Sequence, residues 1–269
     1  MNVSDGEYAL FQSLIEREAG IYLSECKRAL LISRLQRRLR ELELPSFSAY
    51  YRRVLADPGE RVRFVDAICT NETHFFREAH HFEHLERTLI PRWRAGRSRK
   101  IRVWSAGCST GEEPYSLAMV LGEHLPAAEG WDVEILATDV STKVLDAARA
   151  AIYKNERLHE VPWDRRRWIL RGVGTQEGKF KVGPEARALV RFHALNLVDD
   201  VFDVGENLDA VFCRNVLIYF RGDTRARTLA RLIDKLAIGG QLFLGHAESL
   251  QSARLPVRTV MPTVYERVR

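Results

Sequence analysis

Short apolar segments alternate with amphipathic segments after residue 100, and this alternation limits the possible folds more than any other feature of the chain. Strands are predicted at 101–104, 133–137, 208–213 and 241–244, and helices at 114–125, 141–151 and 223–236. Strands that alternate with helices form βαβ units and parallel sheets. The sequence therefore predicts an α/β domain with a mostly parallel sheet.

The first 70 residues differ, because apolar residues recur at helical spacing throughout them. Ser24 is a plausible N-cap for a helix that reaches about Leu44, where Pro45 stops it. Serine is favoured at N-caps, and proline cannot continue a helix. We predict a small all-α domain at 1–70, followed by the α/β domain at 71–269.

Residues 172–192 interrupt the α/β pattern. They contain four glycines and two short alternating apolar segments, at 179–182 and 188–192. Period-two alternation between glycine turns is typical of hairpins. The sequence predicts a small antiparallel β insertion here.

The composition is that of an ordinary folded protein. Of 269 residues, 46% are hydrophobic, which excludes a disordered chain. Lys and Arg number 41 against 36 Asp and Glu, so the net charge of +5 permits a nucleic-acid or acidic-protein partner without requiring one. No apolar run is long enough to cross a membrane, and the N-terminus does not resemble a secretory signal. We expect a cytoplasmic protein whose four separated cysteines are reduced thiols.

A glycine loop is the most informative local motif. The segment SAGCSTGEEP, at 105–114, lies between a predicted strand and a predicted helix. Glycines let a backbone approach a ligand, and a helix N-terminus can face its polar groups. Asp139 ends the next strand, where an acidic side chain can accept both ribose hydroxyls. This pattern favours a nucleotide-type cofactor, and the missing G-x-G-x-x-G fingerprint disfavours a dehydrogenase.

Two alternatives stay open for this loop. Gly107, Ser109 and Gly111 match the G-x-S-x-G elbow of hydrolases, and Ser109, Asp209 and His246 follow the triad order of that fold. The loop can also be a structural turn without a ligand. Replacing Ser109 distinguishes a hydrolase from a cofactor-binding protein.

His80 and His84 have the i, i+4 spacing of a metal-binding pair. No third ligand stands out near them in the sequence. We predict structural roles for them and no metal site.

Four segments together resemble the CheR family of chemotaxis receptor methyltransferases. They are TNETHFFREAHHF at 70–82, VWSAGCSTGEEPYS at 103–116, ATD at 137–139 and FCRNVLIYF at 212–220. The order matches over nearly the whole chain, and GHAES at 245–249 also fits. The resemblance implies a small all-α N-terminal domain followed by a Rossmann-like AdoMet-dependent methyltransferase domain, which contains a small antiparallel β insertion.

The resemblance also implies a site for S-adenosylmethionine (AdoMet). In family members, the residue that matches Asp139 contacts the ribose. The positions that match 196–197 hold the adenine end of AdoMet, and those that match 215–216 hold its methionyl end. From the residues alone, Asn196 and Asn215 would be interpreted as loop residues. The implied cofactor residues are Asn71, Thr73, Arg77, Gly107, Glu113, Asp139, Asn196, Leu197, Asn215 and Val216.

The activity implied is methyl transfer from AdoMet to a receptor glutamate, which yields a γ-methyl ester and S-adenosylhomocysteine (AdoHcy). A glutamate with a pKa of ~4.3 is ionised at neutral pH and needs no general base. Arg77 and Arg34 are candidates for aiming the carboxylate, and Tyr219 for a hydrogen bond beside the methyl group. A module that binds AdoMet without turnover is the non-enzymatic alternative.

Six basic residues and no acid lie between Lys27 and Arg40. A solvated face, a nucleic-acid surface and a docking surface for an acidic helical partner are all possible. The aromatic residues expected for single-stranded nucleic acid are missing. The resemblance favours docking on the cytoplasmic helical domain of chemoreceptors, through Arg34, Arg37 and Arg38.

The predicted insertion offers a second receptor contact. In relatives, such a subdomain binds the receptor C-terminal peptide by strand addition. Here Gly172, Gly174 and Gly178 resemble the loop of peptide-binding members. The sequence does not specify the receptor, the modified glutamates or the pathway.

Overall fold

The computed structural model describes residues 3–250 and 255–269. Its N-terminal helices are α1 (Asp5–Ala19), α2 (Arg28–Glu41), α3 (Phe47–Ala56) and α4 (Pro58–Ile68). Their buried faces share one aromatic core, in which the ring of Phe11 lies 6.1 Å from Tyr50 and 5.8 Å from Phe64. The predicted all-α N-terminal region is therefore present in the structure.

The start of α2 differs from the prediction. A short 3₁₀ turn, Glu25–Lys27, precedes α2, which ends at Glu41 rather than near Leu44. The Ser24 side chain makes no capping hydrogen bond, and its hydroxyl lies 3.0 Å from Cys26 Sγ. Serine predicts a cap only where the next turn is α-helical, and here that turn is tighter.

The α/β region contains the remaining helices and strands. They are α5 (Ala79–His84), α6 (Ile90–Ala95), β1 (Lys100–Ala106), α7 (Glu112–His124), β2 (Asp132–Asp139), α8 (Thr142–Ala150), β3 (Ile152–Lys154), β4 (Ile169–Arg171), β5 (Lys179–Val182), α9 (Pro184–Ala188), β6 (Val190–Ala194), β7 (Leu208–Cys213), α10 (Gly222–Lys235), β8 (Leu236–Leu244), β9 (Val257–Met261) and β10 (Val264–Arg267).

Seven of the described strands form one sheet in the order β6-β2-β1-β7-β8-β10-β9. The first five are parallel, β10 pairs antiparallel with β8, and β9 pairs antiparallel with β10. Val103 and Trp104 of β1 are both buried, as expected for a central strand covered on both faces. The carboxyl ends of β1, β2 and β7 therefore meet at one edge.

A separate three-stranded antiparallel sheet has the order β3-β5-β4 and spans 152–182. The predicted bounds of this insertion, 172–192, are wrong at both ends. Residues 190–194 form β6, which pairs with β2 in the main sheet. Because β6 is an edge strand and is largely exposed, its residues alternate like those of a hairpin.

No helix in the described ranges combines the length and the apolar character that crossing a membrane would require.

Candidate active site

A cleft lies at the carboxyl ends of β1, β2 and β7, with residues from the helical region on its opposite wall. It encloses about 1060 Å³, including solvent at its mouth. Each residue predicted to bind the cofactor lines it: Asn71, Thr73, Arg77, Gly107, Glu113, Asp139, Asn196, Leu197, Asn215 and Val216. The structure thus brings together side chains that are up to 145 positions apart in the sequence.

The glycine loop turns tightly beneath this cleft. The backbone N–H groups of Gly107 and Cys108 both donate to Thr138 O, at 2.8 and 2.9 Å. Gly107 has φ +83°, and a Cβ there would lie 2.4 Å from Val216 Cγ2. A side chain at position 107 would therefore strain the backbone and displace a wall of the cleft.

Asp139 is fixed by backbone donors on both oxygens. Oδ2 accepts from Ser109 N and Oδ1 from Ser141 N, each at 2.9 Å. Burial raises the pKa of Asp139, and these backbone hydrogen bonds oppose the rise. Each carboxylate oxygen has a second lone-pair site, so Asp139 can still accept hydrogen bonds from a ligand.

The hydrolase triad is not assembled. Ser109 follows the carboxyl end of β1, and its Oγ donates to Asn71 O at 3.0 Å. Asp209 lies at the amino end of the parallel strand β7, where it accepts from Arg102 N at 2.8 Å. His246 is exposed and does not line the cleft. Ser109 and Asp209 therefore lie at opposite edges of the sheet.

A buried ion cluster closes the floor of the cleft. The Arg214 guanidinium lies 3.1 Å from Glu113 Oε2 and 3.4 Å from Glu78 Oε2, and it also donates to Arg77 O. Glu113 accepts a further hydrogen bond from Ser105 Oγ at 2.7 Å. Burial raises the pKa of Glu113, and the charge of Arg214 opposes this. One arginine thus serves two carboxylates in a poorly hydrated place.

Sequence reasoning did not identify Arg214, Glu78 or Glu248 as parts of the site. Arg214 directly follows an apolar strand, and its side chain is only 2% exposed. A charged residue is almost never fully buried unless it is paired. An arginine directly after a buried strand could therefore have indicated a buried ion pair. Glu78 and Glu248 carried no such signal, because their partners are distant in the sequence.

Asn215 is held by Glu248 and leaves one polar atom unused. Its backbone has φ +60°, and its N–H donates to Glu248 Oε2 at 2.8 Å. Glu248 is fully buried and also accepts from the N–H groups of Gly245 and Ile218. Asn215 Oδ1 is buried and has no hydrogen-bond partner in the described parts of the chain. A ligand N–H group could therefore bind at this oxygen.

Asn196 is differently engaged. Its Nδ2 donates to Glu18 O at 2.6 Å, and its Oδ1 accepts from Val198 N at 3.3 Å. The side-chain amide thus joins the end of α1 to the wall of the cleft. This is the loop role that the residue type alone suggests.

The family models agree with this geometry. Residues 6–69 match the model described as the all-alpha domain of CheR methyltransferases, and residues 71–265 match the SAM-binding domain. The chain belongs to the CheR methyltransferase family. The family and the fold class predicted from the four motifs are thereby confirmed.

Curated CheR relatives cover most of the chain. It is 45% identical to chemotaxis protein methyltransferase 2 of Pseudomonas aeruginosa, over 95% of this chain and 91% of that protein. It is 41% identical to the chemotaxis protein methyltransferase of Escherichia coli, over 92% and 85%. The Borreliella burgdorferi protein of the same name is 34% identical, over 99% and 96%.

Three residues are predicted to act on the substrate, and two of them, Arg77 and Tyr219, lie in the lining of the cleft. Arg77 is half-buried, and its Nη1 donates to Glu72 O at 3.0 Å. Tyr219 is also half-buried, and Lys27 Nζ lies 5.0 Å from the centre of its ring. Burial raises the pKa of Tyr219, so its hydroxyl remains protonated and can donate.

Arg34 lies outside the cleft lining. Its guanidinium donates to the carbonyl oxygens of Ile68 and Cys69 at the end of α4, and to Thr70 Oγ1 at 3.3 Å. Cationic side chains favour the carbonyl groups that a helix C-terminus leaves unpaired. Arg34 therefore fixes the segment that leads to Asn71.

The basic stretch of α2 is largely paired. Arg38 donates to both oxygens of Glu60, at 2.7 and 2.6 Å, and Arg37 pairs with Glu41 at 3.0 Å. Burial raises the pKa of Glu60, but the hydrogen bonds from Arg38 and Tyr50 and the charge of Arg38 together outweigh it, and the net pKa is lowered. The Arg37 side chain is 78% exposed, so of these two it is the one available to a partner.

One group of possible metal ligands occurs among the described residues. The ligand atoms of Glu78, His80 and His81 lie within 4.8 Å of one another. Burial lowers the pKa of His81 to about 2, and its Nε2 bonds Thr263 Oγ1 at 2.8 Å. Arg214 beside Glu78 would repel a cation, so this chemistry does not favour a metal.

The connection between β4 and β5 contains the predicted peptide-binding glycines. Gly172 N donates to Lys179 O at 2.9 Å, and Gly174 and Gly178 adopt positive φ. In the part of the chain that the structure describes, β4 pairs only with β5 and leaves its outer edge open. Val173, next to this edge, is 81% exposed.

Proposed function

We propose that this protein transfers the methyl group of AdoMet to glutamate side chains of chemoreceptors, which gives glutamyl γ-methyl esters and AdoHcy. One observation carries the proposal. A single cleft at the carboxyl edge of the parallel strands of this CheR family member is lined by Asp139, Asn215, Arg77 and Tyr219. Ligands of open α/β sheets bind at this edge.

The donor chemistry of the cleft fits AdoMet. Asp139 can accept ribose hydroxyls, because a carboxylate has about four lone-pair sites and the bonds from Ser109 N and Ser141 N use two of them. The orphaned Asn215 Oδ1 suits the ammonium group of the methionyl part. When bound, AdoMet supplies an activated methyl group on a positively charged sulfur.

The protein then has to place the receptor carboxylate. A glutamate is ionised at neutral pH, with a pKa of ~4.3, so no residue has to remove a proton. Arg77 uses one Nη in its bond to Glu72, and its remaining donors can orient the carboxylate. The Tyr219 hydroxyl can donate a hydrogen bond beside the methyl group that is transferred. Binding of the carboxylate inside the cleft would also remove water that stabilises its charge.

Two surfaces support receptor docking. Arg37 on α2 is exposed and can meet an acidic receptor helix, in a contact that weakens with salt. The open edge of β4 can accept a receptor C-terminal peptide as an added strand. The protein would then meet the cytoplasmic part of the receptor.

Calorimetry with AdoMet and AdoHcy tests the cofactor half of the proposal. We expect binding of both to the wild type, and a loss of at least tenfold in Asp139→Asn. Asp132→Asn is the matched control, because Asp132 lies at the opposite end of the same strand and pairs with exposed Lys100. No binding of either compound by folded wild type would contradict the proposal.

Transfer of radiolabelled methyl groups to receptor-containing membranes tests the other half. The label should be released by alkali, as expected for an ester, and should fall in Tyr219→Phe and Arg77→Gln. Binding of AdoMet without transfer to any receptor would instead favour the module that binds AdoMet without turnover.

A further inference from the structure

A second cavity lies near the edge of the main sheet, among α7, α8, α9 and β6. It encloses about 550 Å³, again including open solvent, and is lined by Tyr115, Arg149, Arg187, Val190 and Phe192. It shares no lining residue with the cleft. It is therefore a separate concave surface to which the proposed methyl transfer assigns no role.

This cavity has an excess of positive charge. Two arginines line it, and no carboxylate does. Arg149 bonds Asp146 Oδ1 at 3.0 Å and Phe192 O at 3.2 Å, but the Asp146 side chain is 78% exposed and screened by water.

Arg187 is the less satisfied of the two arginines. Its guanidinium has no acceptor among residues 3–250 and 255–269, and its Nε is buried without a partner. Buried donors are almost always paired in folded proteins. An anion would supply the missing acceptor.

The other walls are apolar. Val190 and Phe192 lie two positions apart on β6, so their side chains point to the same face of the sheet. The ring of Phe192 packs edge-on against Tyr115 at 5.7 Å, and the Tyr115 hydroxyl already donates to Ala148 O. The cavity thus combines two cationic groups with an apolar wall.

Guanidinium groups match the geometry of phosphate oxygens. At ~30 Å³ per water molecule, the volume exceeds that of a single small anion and leaves room for an attached organic group. We propose that this cavity binds a small phosphate monoester, with its phosphate between Arg149 and Arg187 and its organic part against Val190 and Phe192.

Ribose 5-phosphate is a suitable probe, because it lacks the adenine that could occupy the cleft. Titrations of the full chain, followed by calorimetry and by ³¹P line broadening at constant ionic strength, should show saturable binding. Inorganic phosphate should bind at least threefold more weakly, and ribose should not bind. Arg187→Gln should weaken ribose 5-phosphate binding at least tenfold.

Arg191→Gln is the matched control. Arg191 lies between Val190 and Phe192 on the opposite face of β6, pairs with Glu134, and carries the same charge. Its replacement should leave the affinity unchanged. If Arg187→Gln does not fold by circular dichroism, Arg149→Gln replaces it, because the Arg149 side chain is 48% exposed.

Three results would overturn the proposal. The first is no saturable binding of ribose 5-phosphate to the wild type. The second is equal affinity for inorganic phosphate, which would remove the role of the apolar wall. The third is equal weakening by the cavity variant and by Arg191→Gln, which would indicate unspecific attraction to the basic chain.

Discussion

The helical region and the cleft each contain a carboxylate paired with an arginine, and the two pairs differ in construction. Glu60 accepts two hydrogen bonds from Arg38 and a third from Tyr50 at 3.0 Å. Glu113 accepts one from Ser105 and has a single contact with Arg214, which Glu78 shares. The net pKa is lowered for Glu60 and raised for Glu113. We therefore expect the saturated pair of Glu60 to serve stability, and the undersaturated pair of Glu113 to keep hydrogen-bonding capacity for a ligand.

The largest expected effect comes from breaking the saturated pair. Arg38→Met leaves the 1%-exposed Glu60 without its main donor, and losing one partner of a buried pair costs about 3–5 kcal/mol. Urea unfolding should show this loss, while AdoHcy affinity of the folded fraction stays unchanged. Arg37→Met, which removes an exposed pair of the same helix, is the control and should change stability little.

Breaking the undersaturated pair should affect ligand binding more than stability. Glu113→Gln removes a charge whose burial is unfavourable, so we expect a stability change below about 1.5 kcal/mol. AdoHcy affinity should fall about tenfold, because Arg214 and the cleft floor rearrange. Calorimetry and urea unfolding of the same variant measure both. A large stability loss with intact affinity would show that the two pairs do not differ as described.

The two carboxylates should also give opposite pH signatures. The pKa of Glu60 is lowered on folding, so its contribution to stability is present above its unfolded pKa and lost as the pH falls. The pKa of Glu113 is raised, so its contribution is present below its unfolded pKa and lost as the pH rises through the folded value.

Urea unfolding between pH 3 and pH 7 checks these signs, because the contribution of Glu60 is lost below its unfolded pKa. The difference in unfolding free energy between wild type and Glu60→Gln should grow with pH. The difference between wild type and Glu113→Gln should shrink with pH. Equal slopes for the two variants would remove the distinction between the pairs.

Much of the cleft was predictable, because it depends on strand ends. Gly107 and Asp139 follow or end apolar strands, and parallel strands bring their carboxyl ends to one edge. The buried ion cluster was not predictable from the sequence, because its residues come from three segments that meet only in the complete fold: Glu78, Arg214 and Glu248. Their pairing leaves no local pattern in the chain.

Two other differences have local causes. Arg34 is predicted to act on the substrate, and the structure places its guanidinium against carbonyl groups at the end of α4, which a basic residue on a helix does not reveal in the sequence. The edge strand β6 was assigned to the insertion, because exposure on its free side imitates a hairpin. In both cases the sequence specifies the residue type, whereas tertiary contacts decide the partner.

The smallest expected effect concerns Ser109, which belongs to the better hydrogen-bonded part of the cleft. Ser109→Ala removes the Oγ bond to Asn71 O but keeps the backbone bond to Asp139, so it should cost about 1 kcal/mol of stability. Methyl transfer to receptor membranes should stay within about threefold of wild type, since the backbone donor that fixes Asp139 is unchanged. Thr142→Ala is a suitable control, because its hydroxyl bond to Asp66 is exposed. Complete loss of activity in Ser109→Ala, with normal AdoHcy binding, would give the hydroxyl a chemical role that a cofactor-positioning loop does not need.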